Sequence, residues 1–117
     1  MLRTKILKNL QLNPLRTKKA AFLLLVFWQM LNVSAYTHSG NPTASGVMPA
    51  VGMCAVDKIN GKWVSFGTKI KLPNGQVFTV ADRFGAGHNN CVDIFFESED
   101  ECWKWGRQYL KCEVIMP

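Results

Sequence analysis

The chain has 117 residues, a formal net charge of +6 and four cysteines, which suits one domain rather than two. The charge is uneven: residues 1–35 carry Arg3, Lys5, Lys8, Arg16, Lys18 and Lys19 and no acid, whereas from Tyr36 onward eight Lys or Arg stand against eight Asp or Glu. The later region therefore has no net field with which to gather phosphates, and nucleic-acid binding is disfavoured.

The first segment reads as an export signal. A basic region ending in "RTKK" precedes the apolar run Ala20 to Leu31, and "NVSA" then offers Val33 and Ala35 as the small residues a signal peptidase reads. The expected division is a signal peptide over 1–35, cleaved after Ala35, and a mature domain over 36–117. Left uncleaved, the segment is a membrane anchor and the protein's only membrane contact. A twelve-residue apolar helix reaches only ~18 Å, short of a ~30 Å hydrocarbon core, which favours cleavage. The expected location is extracytoplasmic.

Residues 36–50 are rich in Ser, Thr, Gly and Pro and read as irregular or edge structure. From Val51 the texture changes to strand-length apolar runs: "VGMCAV", "KWVSF", "TKIKL", "QVFTVA", "CVDIFF" and "LKCEVIM". Asn74-Gly75 tolerates positive φ at both central turn positions and predicts a tight hairpin between the third and fourth runs. Three of the strand-like runs carry an aspartate: Asp57 ends "GMCAVD", Asp82 ends "FTVAD", and Asp93 lies within "VDIFF". Carboxylates flanked by apolar residues are better explained by a converging cluster than by chance solvation, although each could serve a turn by accepting backbone amides.

Ser98-Glu99-Asp100-Glu101 is a capping box, acids crowd the first turn, and Gly106 supplies a stop, so a short helix is expected over Glu99 to Trp105. Trp103 and Trp105 should face opposite sides of it, one toward the core, and Trp63 is also expected in the core. Cys54, Cys91, Cys102 and Cys112 fit two disulfides in a small exported domain, with all three pairings open. With no C-x-x-C spacing and only His38 and His88, neither a redox motif nor a metal site is expected. His88, in a glycine-rich loop, reads as solvated.

Several separated stretches together resemble the 3D domain, a bacterial family named for three aspartates, and the chain is similar to the catalytic domain of membrane-bound lytic transglycosylases. The matching elements are "YT", "TASG", "MPAVGMCAVD", "FGTKIKL", "VADR", "VDIFFES" and the closing "WGRQYLKCEVI". The resemblance implies a mostly β fold, a small double-psi β-barrel of about six strands with one short helix, acting as a monomer without a cofactor. It also implies cleavage of the MurNAc-GlcNAc bond of peptidoglycan, in which the muramic 6-hydroxyl closes on the anomeric carbon to give a 1,6-anhydro sugar. One carboxyl group suffices for that reaction, first as acid and then as base. By position Asp93 matches the catalytic acid, Asp82 a second carboxylate and Asp57 a supporting one. Thr43, Gly67, Thr68, Arg83 and Gly85 match substrate-binding positions.

The loop after Asp82 departs from the family's D-T-G-G-x-I-x-G pattern. Phe84 replaces its first glycine, and Asn89 stands where a later one is expected. The alternative to an enzyme is a non-catalytic wall-binding module, or a secreted barrel of the expansin or inhibitor kind.

Overall fold

In the computed structural model the segment Val26–Tyr36, mostly apolar in its first half, is a strand rather than a helix. The structure describes residues 25–117. In chain order the elements are β1 (Val26–Tyr36), β2 (Met53–Ala55), β3 (Lys58–Ile59), β4 (Lys62–Trp63), β5 (Lys69–Lys71), β6 (Val77–Asp82), β7 (Cys91–Phe95), α1 (Glu99–Trp105) and β8 (Gln108–Ile115). Six strands close into a barrel in the order β1-β7-β2-β6-β5-β8, while β3 and β4 form a separate hairpin. The expected mostly β fold, a closed barrel of six strands with one short helix among the described residues, is what forms. Closure leaves no stave of the barrel with an unpaired edge.

The inward faces carry Leu31 and Val33 of β1, Cys54 of β2, Ile70 of β5, Phe78 and Val80 of β6, Val92 and Ile94 of β7, and Cys112 and Val114 of β8. Each follows the two-residue period of its strand. Helix α1 packs against β1, where Trp105 Nε1 donates to Val33 O at 3.0 Å. Trp103, on the helix's other side, is 83% exposed, so the two tryptophans divide between core and solvent as expected. Ser98 caps the helix by accepting from the Glu101 amide at 3.3 Å.

β1 bears on the expected domain boundary. It pairs with β7 on one side, from Asn32↔Cys91 to Tyr36↔Phe95, and with β8 on the other, from Val26↔Ile115 to Val33↔Gln108. A cut after Ala35 would remove ten of its eleven residues. The basic region and the start of the apolar run lie outside the described residues. Among those described, no helix is long and apolar enough to cross a membrane.

Two turns differ in detail from expectation. The hairpin at Asn74-Gly75 forms, but only Gly75 has positive φ, at 92°. Gly75 N–H donates to Leu72 O at 2.9 Å, so Pro73 and Asn74 are the central residues. Proline's fixed φ suits the second position of a type I turn, and the glycine follows it. The two-residue turn with both φ positive lies instead at Asn60 (53°) and Gly61 (77°), between β3 and β4.

No disulfide joins the cysteines; all four are free thiols. Cys54 and Cys112 are fully buried on β2 and β8, which are three positions apart in a ring of six and so opposite one another. Cys91 opens β7 and Cys102 lies on α1.

Candidate functional site

A single row crosses four staves of the barrel: Ser34 of β1 pairs with Asp93 of β7, Asp93 with Ala55 of β2, and Ala55 with Asp82 of β6. Residues directly opposite on neighbouring strands share a face, so Asp93 and Asp82 point the same way, their backbones two strand spacings or ~10 Å apart. That face is the outer one, since Val33, Cys54, Val92 and Ile94, the chain neighbours of the row's members on β1, β2 and β7, point into the core.

Asp82 reaches this row through an irregularity. Cys54 pairs with Val80 but the next residue, Ala55, pairs with Asp82, so β6 holds one extra residue. Without the shift, Asp82 would follow Val80 by two and point into the core; the bulge re-aims it outward. Its Oδ1 accepts from the amides of Ala44 at 2.9 Å and Arg83 at 2.8 Å, and its Oδ2 accepts from the Tyr36 hydroxyl at 3.4 Å. Tyr36 lies two residues beyond Ser34 on the same face of β1. Burial, then the charge of Asp82, holds its phenol protonated well beyond the ordinary range. Tyr36 is thus a fixed donor.

Asp93 is part-buried, and the Ser34 hydroxyl donates to its Oδ1 at 3.0 Å. Burial raises its pKa above the ordinary aspartate value; the Ser34 hydrogen bond and Arg107 oppose the rise, and the charge of Asp82 adds to it. Phe95, fully buried and two residues along β7, lies edge-on to Tyr36 at 5.6 Å and to His38 at 4.9 Å, giving the site an aromatic floor.

Asp57 takes a different part. It is fully buried just past β2, and its carboxylate receives four backbone amides: Phe84 (2.9 Å) and Gly85 (3.5 Å) at Oδ1, Gly87 (2.8 Å) and His88 (3.0 Å) at Oδ2. Burial alone would raise its pKa, but the four amides together outweigh it and the net shift is downward. Asp57 is the ionised clamp of the loop. That loop is also strapped to the β3–β4 hairpin. Asn89 Oδ1 accepts from Gly61 N at 2.8 Å and Asn90 Oδ1 from Asn60 N at 2.9 Å. The left-handed backbone falls on Asn90 (φ 56°) rather than on Asn89, where a glycine equivalent was expected.

The substrate-binding candidates divide. Thr43 is buried and donates to Val47 O at 2.7 Å, shaping the turn that delivers the Ala44 amide to Asp82. Gly85 belongs to the Asp57 loop. Gly67 and Thr68 join the β5 side of β6, away from β7: Gly67 N donates to Val80 O at 2.9 Å, and the buried Thr68 hydroxyl has no partner. Arg83 donates through Nη1 to Val56 O at 2.7 Å and lies 4.2 Å over the Phe66 ring. His88 is exposed, its ring tilted against Phe84 at 4.9 Å. Trp63, expected in the core, is 59% exposed, because β4 lies outside the barrel. A shallow hollow of about 290 Å³ between α1 and β8, lined by Phe96, Glu101, Lys104, Trp105 and Gln108, holds none of the aspartates.

Ser34, Tyr36 and Arg107 are the site residues that sequence reasoning missed. The i, i+2 spacing of Ser34 and Tyr36 was a usable signal, masked because their segment reads as an export signal. No protein-family model matches the chain, and no curated protein matches it.

Proposed function

We propose that this barrel acts on the glycan strands of exported peptidoglycan as a lytic transglycosylase of the 3D-domain kind, with Asp93 as general acid and then base. The observation that carries this reading is Asp93 itself, a half-buried carboxyl with raised proton affinity, held by Ser34 in one row with a second carboxylate. Such a group keeps a proton to give to the glycosidic oxygen. As the carboxylate it then takes the proton from the muramic 6-hydroxyl as that oxygen bonds to the anomeric carbon. Asp82 supports the protonated state of Asp93 by its charge, and the fixed Tyr36 hydroxyl orients Asp82.

A second reading, a wall-binding module without catalysis, is favoured by the double commitment of Asp82 Oδ1 to the Ala44 and Arg83 amides, which is how a structural aspartate behaves. Digestion of purified sacculi followed by mass spectrometry separates the two. Anhydromuropeptides are expected; reducing-end products would indicate a hydrolase, and binding without release would establish the module.

A further inference from the structure

Beside the aspartate row lies a patch that the proposed reaction does not use. Trp63 (59% exposed) and Phe66 (40% exposed) present aromatic surface, and two cations border it. Lys58 Nζ is 5.1 Å from the Trp63 ring centre, and the Arg83 guanidinium is 5.8 Å from Trp63 and 4.2 Å from Phe66. The floor is the Asp57 loop: a Cβ on Gly87 would lie 3.6 Å from Lys58 Nζ and 3.9 Å from Trp63. Because Asp57 clamps that loop, and the Lys58 backbone pairs with it through His88 O (3.0 Å) and Asn90 N (2.8 Å), the patch is held by ordered backbone.

The charges are unmatched. The one ion pair among the described residues is His38–Glu97, and the remaining 24 residues contain no acid, so neither Lys58 nor Arg83 has a carboxylate partner in the chain. Arg83 commits one guanidinium N–H to Val56 O, leaving a fork of donors of the geometry that grips a carboxylate with two parallel bonds. The cation–π contact with Phe66 restrains that fork, which lowers the ordering cost of such a contact. Arg83 also follows Asp82 directly, so the patch and the aspartate row share the end of β6.

We infer that the Lys58–Trp63–Phe66–Arg83 patch binds the carboxylate-bearing peptide stem attached to the muramic sugar, and so selects peptide-substituted glycan over bare glycan. This rests on the wall-glycan reading above. The aromatic rings cover apolar parts of the stem, and the two cations take its carboxylates.

The test is cosedimentation of the purified protein with intact sacculi, with sacculi whose stem peptides have been removed by an amidase, and with sacculi whose phosphodiester polymers have been removed by hydrofluoric acid. The wild type should prefer intact over peptide-free material by about fivefold, equivalent to about 1 kcal/mol at 1.4 kcal/mol per tenfold. Lys58→Gln with Arg83→Gln should abolish the preference, and Trp63→Ala should weaken binding to intact sacculi. Circular dichroism of each variant confirms the fold. Equal wild-type binding to intact and peptide-free sacculi overturns the inference, as does a preference that survives the double substitution. A preference lost on removal of phosphodiester polymers rather than of peptide also overturns it. Product analysis reports separately on catalysis: selective binding without anhydro product removes the transglycosylase and leaves the patch.

Discussion

Ser34 and Asp93 face one another across the parallel β1–β7 ladder, and the serine hydroxyl donates to the carboxylate at 3.0 Å. The contact joins residues 59 positions apart and makes β1 part of the site as well as of the barrel wall. Asp93→Asn keeps the shape and an acceptor for Ser34 but has no proton to give. Anhydromuropeptide release from sacculi should fall by a factor of roughly a hundred or more, the range attributed to general acid–base catalysis. Turnover retained in the variant would remove Asp93 from that role.

The same residue sets a pH dependence of stability. Its pKa is raised in the folded protein, so its favourable contribution is full below the unfolded value of ~3.9 and is lost as pH rises through the folded value. Above the folded value the buried charge is therefore a cost. Asp93→Asn should melt higher than the wild type on that alkaline side, and the difference should close below about pH 4. Melting curves across that range check both the sign and the window.

Asp57 predicts the opposite slope. Its folded pKa is lowered, so its contribution is present above the unfolded value and is lost as pH falls through the folded one. Asp57→Asn leaves part of the four-amide set facing a donor, at about 1–3 kcal/mol for each buried amide left unsatisfied. The variant should be destabilised at pH 7 and should show a flatter acid limb than the wild type in urea titrations at several pH values. An unchanged acid limb would show that the clamp does not depend on the charge.

The barrel was legible where strand-length apolar runs and turn residues agreed, and α1 was legible because Ser98, the first-turn acids and Gly106 all specified the same helix. β1 was not. An uninterrupted run such as "FLLLVFWQML" satisfies an export signal and a buried stave equally well, and only its pairing with β7 and β8 shows the two-residue period. The three aspartates could be singled out from their apolar flanks, but their separate roles could not. Asp82 is aimed by a one-residue register shift, and Asp57 is ionised by amides contributed from some thirty residues further along the chain. Both depend on tertiary placement. Trp63 was misread for a related reason: an aromatic in a short apolar run suggests burial, yet the Asn60-Gly61 turn carries β4 off the barrel.

The place of β1 predicts the effect of truncation. Leu31 and Val33 are fully buried, each contributing about 1.5–3 kcal/mol, and their strand completes two ladders. A chain beginning at Tyr36 should lack a cooperative thermal transition, whereas one beginning at Leu25 should retain it. If the protein is exported and processed, its N-terminus should accordingly fall before Val26. A folded chain starting at Tyr36 would show that the barrel closes without β1.

Thiol chemistry tests the cysteine arrangement. Burial, with the charge of Asp93 adding to it, pushes the Cys54 thiol far above its ordinary range, and burial pushes Cys112 up to about 11. Neither yields much thiolate near neutral pH, and neither is accessible, so both should resist a thiol reagent in the native protein. Cys91 and Cys102 are only part-buried and should react first, with Cys102 the slower to ionise because burial and the nearby acids raise its pKa. Titration with a chromogenic disulfide should thus give two thiols in the native state and four after denaturation. A count that stays at zero after denaturation would mean that the cysteines pair in solution, and Cys54 and Cys112 would then need partners other than each other, since they stand on opposite staves of the barrel.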